Sequence, residues 1–169
     1  MQIAILGSGL IGTSWAALFL AYGHHVAMAD PRESAEAEAL PAIDAAWAGL
    51  ALLSDLGPLP TDRLTFHRSI AAACQGATFV QECGPDRLTI KHTMLAEAES
   101  ALAPEVIIAS STSSLMPSDI QAQMTHPGRL LVAHPMNPPH LVPLVELVTG
   151  DKTAPDSVSQ ARIFYEAMA

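Results

Sequence analysis

The sequence predicts an α/β domain built on a doubly wound, mostly parallel sheet. Three observations predict it. Short apolar runs alternate with helical stretches along the whole chain. The first apolar run stops at a glycine-rich turn that opens a helix. Residues able to do chemistry gather just past the ends of the apolar runs, which is where open α/β sheets hold ligands.

Residues 2–6 (Gln-Ile-Ala-Ile-Leu) form an apolar run halted by Gly7 and read as a buried strand. From Ile11 the pattern becomes helical, with Trp15, Leu18, Phe19 and Tyr22 at spacings of three and four before Gly23 ends it. Residues 25–29 form a second strand, closed by Asp30-Pro31. The alanine- and glutamate-rich stretch 32–56 reads as helix with a break near Pro41, and 57–62 as a loop. Further strands are predicted near 64–67, 77–82, 106–110, 129–133 and 144–148. Helices are predicted near 86–102, 117–124 and 155–168, the last with Ile163, Phe164 and Met168 packing inward.

A chain of 169 residues suits one domain with a full core. Its net charge of -9, from 8 basic and 17 acidic side chains, argues against nucleic acid or an anionic membrane as partner. No apolar run reaches membrane-spanning length, and no basic segment precedes the first one, so neither a membrane span nor a secretory leader is expected. Cys74 and Cys83 are too few for a disulfide framework, and the histidines lack metal-ligand spacing, so no metal is expected. The expected setting is the cytoplasm.

Gly7-Ser8-Gly9-Leu10-Ile11-Gly12 matches G-x-G-x-x-G between a strand and a helix. Gly7 permits a tight turn, Gly9 a close approach to a pyrophosphate, and Gly12 close packing of helix on sheet. The N–H groups at the helix start, from Leu10 and Ile11 onward, suit phosphate. Asp30 ends the second strand and suits the ribose hydroxyls, which favours NAD over NADP, although Arg32 stands close enough to weaken that preference. The plain alternative is a glycine turn that only packs.

His134 follows the strand 129–133, and Glu146 lies in the next strand, with four prolines between them. Prolines stiffen such a segment. A carboxylate accepting from one imidazole nitrogen fixes the tautomer, leaving the other as a general base for a substrate hydroxyl while hydride leaves the carbon. Ser110-Ser111-Thr112-Ser113-Ser114 ends another strand. Its hydroxyls suit a substrate oxygen or the nicotinamide amide, and Ser114 equally suits a helix cap before Pro117. Glu82-Cys83-Gly84-Pro85-Asp86 ends a further strand with Lys91 five residues on, a pattern that a solvated helix start would also give.

Together the glycine loop, Asp30, the serine segment and His134-Pro-Met-Asn-Pro-Pro…Val-Glu146 resemble the 3-hydroxyacyl-CoA dehydrogenase family over essentially the whole chain. Val80-Gln-Glu-Cys83, Ser110–Leu115 with Pro117-Ser118, and Val142-Pro-Leu-Val-Glu-Leu-Val148 are most similar to its lambda-crystallin and L-gulonate 3-dehydrogenase branch. The resemblance implies a Rossmann-type NAD-binding domain. It implies His134 as catalytic base, Glu146 as its partner and Ser113 as donor to the substrate oxygen. Ser111, Asn137, Asp86, Lys91 and the backbone at Cys83 would line the nicotinamide half of NAD. The acyl-CoA branch usually has asparagine at the position of Ser111, and only Arg32 is basic between Asp30 and Thr61, so a small 3-hydroxy acid is expected rather than a CoA ester. The family's helical second domain, which completes the pocket and forms a homodimer, has no counterpart here. Residues 1–169 are therefore expected to be a truncated NAD-binding domain of low activity alone. A non-catalytic nucleotide-binding or crystallin-like structural role is the alternative.

Overall fold

The computed structural model describes residues 1–168. Seven strands make one sheet in the order β3-β2-β1-β4-β5-β6-β7. They are β1 (Gln2–Leu6), β2 (His25–Ala29), β3 (Leu64–His67), β4 (Phe79–Glu82), β5 (Ile107–Ser110), β6 (Leu130–Pro135) and β7 (Val145–Thr149). The first six run parallel, and β7 pairs antiparallel with β6. The expected doubly wound, mostly parallel sheet is therefore present. Strand order reverses between β1 and β4, and their carboxyl ends form the switch point where such folds bind ligands.

Period-2 alternation splits the strands between two cores. Ile3, Ile5, Val26, Met28, Phe79, Ala109 and Leu131 face α1 (Leu10–Ala21), α2 (Ala35–Ala51) and α6 (Pro155–Glu166). Ala4, Leu6, Ala27, Val80, Ile108, Leu130 and Val132 face α3 (Ile70–Cys74), α4 (Leu88–Glu99) and α5 (Pro117–Gln121). Strands buried on both faces read as continuous apolar runs, which is why β1 and β2 were plain in the sequence. On the first face an aromatic cluster joins α1 to α6: Trp15 stacks on Phe19 with ring centroids 5.2 Å apart, and Phe79 on Phe164 at 3.9 Å.

The structure departs from expectation in four places. Helix α2 runs unbroken through Pro41, because Ala39, Ile43, Ala46, Trp47 and Leu50 bury one continuous stripe against α1 that outweighs one lost backbone bond. On α6 Ala161, Phe164 and Tyr165 pack inward, as does Met168 just beyond it, whereas Ile163 turns outward at 67 % exposure. Tyr22 caps α1 from outside and is half exposed. Strand β6 continues through His134 to Pro135, so the histidine sits inside a paired strand rather than past its end.

Replacing Pro41 by Ala restores the bond to the Ala37 carbonyl without touching the buried stripe. It is expected to raise stability by about 1–2 kcal/mol, read as a higher urea midpoint with unchanged m-value.

Candidate active site

The glycine turn forms because three backbones meet there. Gly7 has φ +107°, and a Cβ on it would lie 2.7 Å from the Cys83 carbonyl oxygen. A Cβ on Gly12 would collide with the Gly7 carbonyl. Gly9, the N-cap of α1, is different: its φ of −75° is ordinary, and a Cβ there would meet nothing within 4 Å. The first N–H groups of α1, from Leu10 on, have no partner in helix geometry and face this open space, which fits a pyrophosphate. Leu10 is exposed, while Ile11 turns into the adjoining cleft.

At the end of β2, Asp30 accepts from the Ser8 hydroxyl at 2.7 Å and from Arg32 Nε at 3.1 Å. Burial pushes its carboxyl up, but hydrogen bonds from Arg32 and Ser8 outweigh this and hold it below its ordinary value. Arg32 is shared between Asp30 and Glu38. Its charge is thus shared between two carboxylates.

Beyond β1, β4, β5 and β6 lies a cleft of about 250 Å³ lined by Ile11, Cys83, Gly84, Asp86, Ser111, Ser113, His134, Pro135 and Asn137. Half of the candidate site residues singled out in the sequence therefore line one cleft. His134 and Glu146 are direct cross-strand partners in the β6–β7 ladder, and His134 Nδ1 lies 2.9 Å from Glu146 Oε2. An acceptor-only carboxylate makes Nδ1 the protonated nitrogen and leaves the Nε2 lone pair free. The intervening proline segment is tied to α1 through His140, whose Nδ1 lies 2.7 Å from Ser14 Oγ and whose N–H donates to the same oxygen at 3.1 Å. Burial lowers the His140 pKa, and the tautomer decides whether its Nδ1 or the Ser14 hydroxyl is the donor.

Ser113 lines the cleft beside His134, and its N–H donates to Asp86 at 3.3 Å. Ser114 does not cap α5, whose N-cap is Met116 without a side-chain bond; its hydroxyl donates to Asp86 instead. Burial pushes the Asp86 carboxyl up, but the Thr112 hydroxyl, the Lys91 charge and the Ser113 N–H together hold it low.

Lys91 is not at a solvated helix start. It is fully buried behind the cleft, with Nζ 2.8 and 2.7 Å from the two oxygens of Glu82, also fully buried, and 3.4 Å from Asp86. Glu82 further accepts from the Gly84 N–H at 2.6 Å and from the Ser110 hydroxyl. Reading the sequence missed Glu82 as a site residue, although an acid ending an apolar run at the ligand edge was the available signal. Gln81, Trp15 and Tyr165, which back Ser111, were missed for lack of any local signal. Among the described residues no group of histidine, cysteine and acidic side chains could hold a metal ion, and no helix is long and apolar enough to cross a membrane.

The fold agrees with what the chain resembles. Residues 2–169 match the family described as 3-hydroxyacyl-CoA dehydrogenase, NAD binding domain. The chain belongs to that family. It is 43 % identical over 165 residues to an L-carnitine dehydrogenase of Streptomyces coelicolor, covering 98 % of this chain and 52 % of that protein. To an L-carnitine dehydrogenase of Pseudomonas aeruginosa it is 42 % identical over 165 residues, 98 % of this chain and 51 % of that one. A solved 3-hydroxybutyryl-CoA dehydrogenase from Escherichia coli K12 superposes with TM-score 0.91 at 27 % identity, over 99 % of this chain and 36 % of that one. An NAD-dependent 5-formyl-3-hydroxy-2-methylpyridine 4-carboxylic acid 5-dehydrogenase does so with TM-score 0.91 at 30 % identity, over 99 % and 54 %. The chain spans about half the length of the curated relatives it matches. Those relatives are carnitine dehydrogenases rather than the lambda-crystallin and gulonate branch that the sequence segments suggested. NAD is the family's cofactor.

Two outcomes follow from the charges. Asp30→Ala removes a charged acceptor and leaves Arg32 paired with Glu38 alone, so NAD affinity is expected to fall about tenfold while NADP gains relative to NAD, measured by fluorescence titration of both reduced cofactors. Lys91→Met strands the Glu82 carboxylate in the core and is expected to cost about 3–5 kcal/mol in urea unfolding, with Glu82→Gln in the same chain recovering part of the loss.

Proposed function

We propose that this chain is the cofactor half of an NAD-dependent dehydrogenase that oxidises the C3 hydroxyl of a small 3-hydroxy acid. The observation that carries the reading is the His134–Glu146 pair, set at 2.9 Å in a cleft that adjoins the glycine turn. His134 Nε2 takes the hydroxyl proton, and Glu146 holds the ring in the tautomer that makes this possible. The Ser113 hydroxyl, which has no partner among the described residues, donates to the same substrate oxygen. NAD, when bound, accepts the hydride. Gly7, Gly9 and Gly12 admit its pyrophosphate and Asp30 its ribose, while Cys83, Asp86, Ser111 and Asn137 border the nicotinamide end with Lys91 braced behind them.

The substrate class rests on two supports. The two curated relatives named above are L-carnitine dehydrogenases, and L-carnitine is a 3-hydroxy acid. The stretch after Asp30 offers only Arg32 as a basic group, and that group is held by Asp30 and Glu38, which suits a small acid better than the phosphates of coenzyme A. Turnover by this chain alone is expected to be slow or absent, since it spans about half of such relatives.

The test joins this chain to the C-terminal half of the Streptomyces coelicolor relative and follows NADH formation with L-carnitine, L-gulonate, 3-hydroxybutyrate and its CoA ester. Turnover is expected with L-carnitine. His134→Ala is expected to lower kcat by about 10²–10⁴ with NAD affinity kept; unchanged kcat overturns the base assignment, and turnover confined to the CoA ester overturns the substrate class.

A further inference from the structure

Ser111 presents a hydroxyl to the cleft, and three side chains from three different elements settle what that hydroxyl can do. Trp15 Nε1, on α1, lies 3.2 Å from Ser111 Oγ. Gln81 Nε2, on β4, lies 2.9 Å from it. The Gln81 amide is fully buried and its orientation is dictated by its surroundings. Its Nε2 also lies 3.2 Å from the Ala109 carbonyl, which can only accept, so the NH₂ must be on that side. Its Oε1 takes the Tyr165 hydroxyl of α6 at 2.6 Å. Burial raises the Tyr165 pKa well above its ordinary value, so the phenol keeps the proton it donates there.

An indole N–H and an amide NH₂ are donors only. Ser111 Oγ therefore accepts two hydrogen bonds and has no lone pair left. What remains is its own O–H, which must donate. Among the described residues the one further atom near enough is Cys83 Sγ at 3.4 Å, a weak acceptor. The other direction open to it is the cleft that Ser111 lines with Ile11 and Cys83 on the side of the glycine turn.

We propose that Gln81, anchored by Tyr165, is a positioning residue that makes Ser111 an obligate donor to the carbonyl oxygen of the nicotinamide carboxamide. This rests on the reading that nicotinamide enters the cleft. Ser111 sits on the cofactor side, while His134 and Ser113 serve the substrate hydroxyl. A group that can only donate selects the oxygen end of the carboxamide over its NH₂ end. Fixing that end removes one of the two ways the carboxamide could be presented to Ser111.

The chain itself serves for the test. NADH binding is followed by the emission of its reduced ring, and NAD, the thionicotinamide analogue of NAD and ADP-ribose are measured by displacement. Sulfur is the poorer acceptor, so wild type is expected to prefer NAD to the thio analogue. Ser111→Ala is expected to weaken NAD about five- to tenfold, the thio analogue less than twofold, and ADP-ribose not at all. Ser111→Thr keeps the preference. Gln81→Met loses part of it, with ADP-ribose affinity unchanged as the control for folding. A preference that survives Ser111→Ala, or a loss equal for NAD, its thio analogue and ADP-ribose, overturns the donor assignment alone. Wild type that binds ADP-ribose but leaves NADH emission unmoved overturns the placement of nicotinamide in the cleft, and the inference with it.

Discussion

The site depends on one buried carboxylate. Glu82 closes β4, and three groups from three segments converge on it: Lys91 of α4, the Gly84 N–H of the following turn and the Ser110 hydroxyl of β5, with Asp86 joined through Lys91. Two charges taken wholly out of water persist only when their remaining hydrogen-bonding capacity is used, and here it is. Replacing such a pair by apolar groups can be neutral for stability, so its presence points to geometry rather than to strength. What it fixes is the turn after β4. That turn carries Cys83, whose carbonyl abuts Gly7, and Asp86, which holds the backbone of Ser113. The glycine turn and the serine segment are thereby held in one frame, although they come from different strands.

A second constraint is register. The antiparallel β7 is the exception in a parallel sheet, and it is what sets His134 opposite Glu146. A slip of one residue would send Glu146 to the other face of the sheet. The register is secured at both ends of the connection. Met136 N–H donates to the Leu144 carbonyl at 2.9 Å, and His140 locks onto Ser14 at the start of the same helix that opens from the glycine turn. His134 and the glycine turn therefore share one support in α1.

What the sequence made legible was local. The strand–glycine–helix order, Asp30 at a strand end, and the histidine and glutamate either side of a proline turn all lie within short windows whose chemistry is written in residue type. Pro41 misled because the rule for proline in helices is local, whereas the stripe of Ala39, Ile43, Ala46 and Trp47 that overrides it is tertiary. The five-residue α3 went unseen because it is shorter than a hydrophobic period can reveal. Lys91 was ambiguous because a lysine after a turn is usually solvated; its partner lies nine residues back, across that turn, at the end of a strand. The Gln81–Tyr165 bond spans 84 residues, and no window contains it.

That long-range bond gives α6 a part beyond covering the sheet. Gln81 and Glu82 are successive residues of β4, so their side chains leave on opposite faces. Gln81 meets α1 and α6 through Trp15, Ser111 and Tyr165, while Glu82 meets α4 through Lys91. Ser110 at the end of β5 and Ser111 just after it divide in the same way. The cleft is thus braced from both layers by adjacent residues at the ends of the same two strands. Displacing α6 would release Tyr165 from Gln81, and the amide would lose the anchor that holds its NH₂ on Ser111. The docking of the last helix and the polarity of the hydroxyl in the cleft are then one structural variable, since the same hydrogen-bonded chain sets both.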